Sequence, residues 1–94
     1  MTTNTHVEVR RGAYHDSVTL MQVSREVAAV DGVSAAQVAM GTELNIDVLR
    51  GMDFDVPANT GPNDLVVALR VDSDEARDAA LARLEEALAP SGGG

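Results

Sequence analysis

Two stretches of this chain carry the residue types from which a small polar site can be built. In Gly12-Ala13-Tyr14-His15-Asp16-Ser17, and again in Met40-Gly41-Thr42-Glu43-Leu44-Asn45, a glycine and a helix-capping side chain separate an alternating segment from an apolar helical one. The first turn of a helix leaves backbone N–H groups unpaired and carries positive partial charge, so each junction can hold an anion or a polar ligand group. His15 and Ser17 have the composition of a base and a nucleophile. No third orienting group or oxyanion motif accompanies them, and no catalytic residue is assigned. Helix capping by itself accounts for Asp16 and Ser17, at about 1 kcal/mol, without excluding ligand contact. Gly41 and Thr42 are likewise what any strand-to-helix turn needs. Asn63 and Asp64 are turn formers that satisfy loop backbone groups. Arg25 is either half of a surface ion pair with Glu26 or Asp31, worth about 0–1 kcal/mol, or a bidentate clamp for a carboxylate or a partner's acidic group.

The elements that must position these residues follow from hydrophobic periodicity. From His6 to Arg10, Val7 and Val9 alternate with His6, Glu8 and Arg10, which predicts a half-buried strand. Asp16 then caps a helix whose inward stripe is Leu20, Val23, Val27 and Val30, stopping at Asp31-Gly32. Ser34 to Met40 reads as a second strand, and Thr42 caps a short helix in which Leu44, Val48 and Leu49 share a face and Gly51 marks the end. The prolines, asparagines and glycine of 53–62 make a loop. Leu65 to Val71, nearly continuous in apolar residues, belongs in the sheet centre. Asp72 and Glu75 form a capping box for a last helix with Ala80, Leu81, Leu84, Ala87 and Leu88 on its apolar stripe.

This order is an α+β, ferredoxin-like βαβ(α)βα sandwich lacking the fourth strand. With the third strand antiparallel between the first two, residues 12–17, 41–45 and 59–64 meet on one edge. That edge gathers Tyr14, His15, Asp16, Ser17, Gly41, Thr42, Asn45, Asn63 and Asp64. A three-stranded sheet also keeps a hydrogen-bonding edge open for another domain or a second copy.

Bulk properties narrow the function classes. With 94 residues there is room for one domain, assigned to 6–89, between a disordered N-terminus at 1–5 and a flexible tail or linker at 90–94. The chain has no cysteine, and only His6 and His15 as histidines, so disulfides, thiolate metal sites and a structural zinc site lack support, and no metal ligand is assigned. A net charge of −8, with every basic residue an arginine, disfavours nucleic acid and anionic membranes as partners. The N-terminus has no signal-peptide pattern and no apolar run approaches the ~20 residues of a membrane span, which gives a cytoplasmic assignment. Neither a Walker-type loop nor a Gly-x-Gly-x-x-Gly is present.

The run Tyr14-His15-Asp16-Ser17-Val18-Thr19-Leu20-Met21 with Ser24-Arg25, then Gly32-Val33, Met40-Gly41-Thr42 with Asn45, and Asn63-Asp64-Leu65, closely resembles the N-terminal domain of FdrA proteins. These are acyl-CoA synthetase-like proteins related to the succinyl-CoA synthetase alpha subunit. The resemblance implies a segment that precedes a CoA-binding Rossmann-like domain and ligase-type domains, and some members look like components of an oxamate carbamoyltransferase in purine or allantoin breakdown. This chain carries neither the CoA-binding glycine loop nor the phosphorylated histidine region of such relatives, so no cofactor is assigned to it and CoA is implied only for the other domains. The resulting expectation is an accessory domain, not catalytic alone, that docks on synthetase-like or carbamoyltransferase subunits through Tyr14, Asp16, Ser17, Arg25, Thr42, Asn45, Asn63 and Asp64. The alternative is a dimeric regulatory domain binding a small anion at the two helix N-termini. Independent enzyme activity is the weakest of the three readings.

Overall fold

In the computed structural model, residues 4–88 are described. They run β1 (Asn4–Arg10), α1 (Ser17–Ala28), β2 (Val33–Met40), α2 (Glu43–Gly51), β3 (Leu65–Val71) and α3 (Asp74–Leu88). The sheet has the order β1-β3-β2 with both pairings antiparallel, from Asn4 against Val71 to Arg10 against Leu65 on one side. On the other, Val33 pairs with Val71 and Met40 with Leu65, with an irregularity between Val33 and Ala35. This is the expected α+β, ferredoxin-like arrangement with three strands among the described residues.

β3 is central, and its two faces serve two cores. Leu65, Val67, Leu69 and Val71 pack under α1 and α3 with Leu20, Val23, Val27, Ala76, Ala80 and Leu84. Val66 and Ala68 face the other way, onto Leu49, Phe54 and Val56. A strand covered on both faces must be apolar at consecutive positions, which explains the unbroken apolar run that alternation would otherwise interrupt. Arg70 ties the second layer down: its guanidinium lies 4.8 Å from the Phe54 ring centroid and donates to the Met52 carbonyl at 2.6 Å.

Several boundaries differ from the sequence reading. β1 begins at Asn4, so Asn4 and Thr5 are strand residues paired with Val71 and Arg70 rather than part of a disordered terminus; residues 1–3 and 89–94, including the tail at 90–94, lie outside the described residues. α1 ends at Ala28, and Gly32 serves instead in the following turn with φ +88°. There an added Cβ would lie 2.6 Å from the Ala76 Cβ, so the glycine permits both the turn and the approach of α3. Ser73, not Asp72, caps α3, since its hydroxyl accepts the Ala76 N–H at 3.1 Å. In α2 the inward residues are Ile46 and Leu49, whereas Leu44 is 72% and Val48 46% exposed. At about 100° per residue, Leu44 lies roughly opposite Ile46, and only one of those stripes can face the sheet.

Candidate functional site

The three loops expected on one edge do meet there, and Asp64 joins them. Its carboxylate accepts the Gly12 N–H at 3.0 Å, the Gly61 N–H at 2.9 Å and an Arg11 guanidinium N–H at 3.1 Å, and its carbonyl accepts the Gly41 N–H at 2.8 Å. The backbone donors of Gly61 and Gly12, helped by Arg11, hold the Asp64 carboxyl below the ordinary carboxylate range. Each of these donors is satisfied within the domain. Asp64 therefore fixes the loops and is already fully engaged.

Asp16 is engaged in the same way. Its carboxylate accepts the Thr19 hydroxyl at 2.6 Å and the Thr19 N–H at 3.2 Å, and these two bonds, hydroxyl first, lower its pKa. A carboxylate thus already sits at the N-terminus of α1, where the sequence invited an external anion. At α2 the cap is neutral: the Thr42 hydroxyl accepts the Asn45 N–H at 3.3 Å. Gly41 has no room for a side chain, since a Cβ would lie 2.5 Å from the Thr60 Cγ2 and 2.6 Å from the Gly61 carbonyl oxygen. Its N–H is bound to Asp64, so neither its backbone donor nor its surface is offered to a ligand.

Beside this edge, a cleft of about 550 Å³ opens along the outer side of β2, between α1 and the start of α2. Its floor is residues 37–40 of β2, and Leu20, Met21, Ser24 and Arg25 of α1 form one wall. Six of the ten site residues chosen from the sequence line it: Tyr14, His15, Ser17, Arg25, Thr42 and Asn45. Asp16, Gly41, Asn63 and Asp64 do not. Ser24, Gln37 and Pro62, which the sequence pattern does not single out, line it as well. The signal for Ser24 is subtle, being a polar residue beside the inward stripe of α1, one position after Val23.

Two of the lining side chains close the β2 edge. The Ser24 hydroxyl accepts the Val38 N–H at 2.9 Å and donates to the Val38 carbonyl at 3.3 Å, while the Asn45 amide donates to the Met40 carbonyl at 2.9 Å. An edge strand whose outward groups are taken by side chains is a poor template for another strand, so this edge is partly sealed rather than open. Arg25 pairs with neither Glu26 nor Asp31. Glu26 is bound instead by Arg83 of α3. On the far side of the sheet β1 carries a half-buried ladder in which His6 and Arg10 hydrogen-bond to Glu8 and Arg10 reaches Glu85. Burial raises the Glu8 pKa, but the bonds from Arg10 and His6 outweigh it and leave the group lowered.

A family model described as "AllF, heavy metal-associated domain" matches residues 1–93, and the chain belongs to that family. Over 84 residues it is 33% identical to the uncharacterized protein YahF of Escherichia coli strain K12; the match covers 85% of this chain and 16% of YahF. The chain therefore spans well under two thirds of that relative's length. No solved structure matches. The family description names heavy metals, but a thiolate site or a cluster of imidazole and carboxylate ligands has no support here. The chain has no cysteine to supply a thiolate, and among the described residues no three His, Asp or Glu side chains cluster so as to hold an ion. Among the described residues no helix is long and apolar enough to cross a membrane.

Proposed function

We propose that this is the accessory domain of an FdrA-type, acyl-CoA synthetase-like protein or carbamoyltransferase complex, not catalytic alone, and that it docks on the larger subunits through the rim of the α1/β2 cleft. The observation that carries this reading is the match to an AllF domain family together with a relative of which this chain covers 16%. The surface supports contact rather than chemistry. Tyr14, the sole tyrosine, is 69% exposed at the cleft mouth, and Val18, Met21, Leu44 and Val48 are exposed on the two neighbouring helices. Aromatic and methionine side chains in such positions are typical anchors of protein contacts. His15 and Ser17 line the cleft, but no hydrogen bond joins either to a third group among the described residues. CoA, where the complex uses it, belongs to the larger subunits, and the setting is the cytoplasm.

Affinity purification of the tagged chain from its own cells, with mass spectrometry of what co-elutes, tests this. Synthetase-like or carbamoyltransferase subunits should be recovered with wild type and lost with Tyr14→Ala/Met21→Ala. A clean homo-oligomer would overturn the docking reading in favour of a dimeric anion-binding regulator.

A further inference from the structure

The cleft differs from the rest of the protein in charge. Asp and Glu make up 15 of the 94 residues, yet none of the fourteen residues lining the cleft is acidic. Arg25 is among them. The other six arginines are all committed within the domain: Arg10, Arg11, Arg77 and Arg83 to carboxylates, Arg50 to the Val56 carbonyl and Arg70 to the Met52 carbonyl. Among the described residues, Arg25 alone of the seven has neither an ion pair nor a hydrogen bond. In a protein of net charge −8, the one uncommitted arginine among the described residues thus lines a cavity free of carboxylates.

The polar groups around it are of the matching kind. Tyr14, His15, Ser17 and Gln37 line the same cleft, and among the described residues none of these side chains makes a hydrogen bond. Each can donate, and a carboxylate only accepts. The apolar part of the lining is Met21, which is exposed, with Leu20, Val38 and Met40 buried behind it. Eight residues of helix separate Ser17 from Arg25, or about 12 Å at 1.5 Å per residue, which is the span of a small ligand. Cavities of ~300–1,000 Å³ with apolar walls and a few convergent polar groups are the usual form of small-molecule sites.

We propose that the α1/β2 cleft binds a small organic carboxylate, with the carboxylate on the Arg25 guanidinium and a short apolar body against Met21 and the apolar lining behind it. The partial sealing of the β2 edge by Ser24 and Asn45 makes an added β-strand the poorer occupant.

The test is titration of the 15N-labelled chain with hexanoate, hexanamide and acetate, each up to about 50 mM, the range in which millimolar dissociation constants are measured. Hexanoate should give saturable shifts at the amides of 20–25 and 37–40. Hexanamide, which lacks the charge, and acetate, which lacks the apolar body, should each bind at least tenfold more weakly. Arg25→Gln should weaken hexanoate at least tenfold, about 1.4 kcal/mol, while Arg77→Gln on α3 leaves it unchanged. Arg25 is exposed, and an unchanged amide spectrum away from the cleft shows that the variant is folded. No saturation with hexanoate, equal binding of hexanamide, or an Arg25→Gln constant within twofold of wild type would each overturn the assignment. The inference deepens the reading of the docking cleft, but the two fail separately. Capture of the larger subunits without carboxylate binding removes the ligand alone, and carboxylate binding without capture removes the docking alone.

Discussion

Replacing Gly41 by alanine tests how rigidly the loops hold the cleft rim. The residue joins the end of β2 to the cap of α2, and its φ is not in the left-handed region, so alanine brings no backbone strain of its own. The cost is steric. The new Cβ would lie 2.5 Å from the Thr60 Cγ2, which a side-chain rotation can relieve, and 2.6 Å from the Gly61 carbonyl oxygen, which it cannot. That carbonyl accepts the Asp64 N–H at 3.0 Å, and the Gly61 N–H donates to the Asp64 carboxylate, so the whole turn must retreat. Overpacking of this kind costs about 1–3 kcal/mol. Against it stands a gain of about 0.4–1 kcal/mol from the reduced freedom of the unfolded chain. We expect a net loss of about 1–2 kcal/mol, which lowers Tm by about 4–16 °C for a domain of this size. Gly51→Ala is the matched control, because a Cβ there meets nothing within 4 Å at the end of α2. It should raise stability by about 0.5–1 kcal/mol. Thermal and urea unfolding followed by far-UV circular dichroism measure both. A Gly41→Ala variant that melts at or above wild type, with Gly51→Ala behaving as expected, would refute the close-packing argument.

Three further outcomes are expected. Leu69 is fully buried at the centre of β3, so Leu69→Ala should cost about 2–5 kcal/mol, readable as a lower urea midpoint; a loss under about 1 kcal/mol would contradict the packing. The Asp64 carboxyl is lowered in the folded state, so its stabilisation is fully present above the unfolded value of about 3.9 and drains as pH falls through the folded one. The gap in urea midpoint between wild type and Asp64→Asn should accordingly be narrower at pH 3 than at pH 7, and an equal gap at both would refute the role given to the ionised carboxylate. Equilibrium dialysis against Cu(I) or Zn(II) at micromolar concentration should leave less than one equivalent on the chain, and stoichiometric retention would show that a donor set other than thiolate suffices.

The secondary structure was legible because periodicity encodes burial locally. The valines of β1, the Leu20, Val23 and Val27 stripe of α1 and the apolar run of β3 each specify an element by spacing alone, and the caps Asp16 and Thr42 are recognised from residue type and position. The order of elements and the handedness of crossovers then placed β3 between its neighbours and brought the three loops together. The charge imbalance and the lack of cysteine are likewise properties of composition, which no fold alters.

Tertiary structure decided which polar residues remain available. In sequence, Asp16, Asp64 and Arg25 each admit both a structural role and a ligand contact. Asp16 is consumed locally by Thr19 in the first turn of α1, whereas Asp64 is consumed by Gly61 nearby and by Gly12 and Arg11 from the other end of the chain, and Arg25 keeps no ion pair while Arg83 holds Glu26. The choice of Ile46 over Leu44 as the inward side of α2 depends on which stripe meets Phe54 and Val56, contacts made outside the helix itself. Ser24 acquires its place only because α1 lies along β2, bringing its hydroxyl to the Val38 backbone fourteen residues on. Hydrogen bonds between distant segments have no local periodicity to announce them. A sequence therefore determines the inventory of donors and acceptors, while packing determines which of them are spent inside the protein and which still face a ligand.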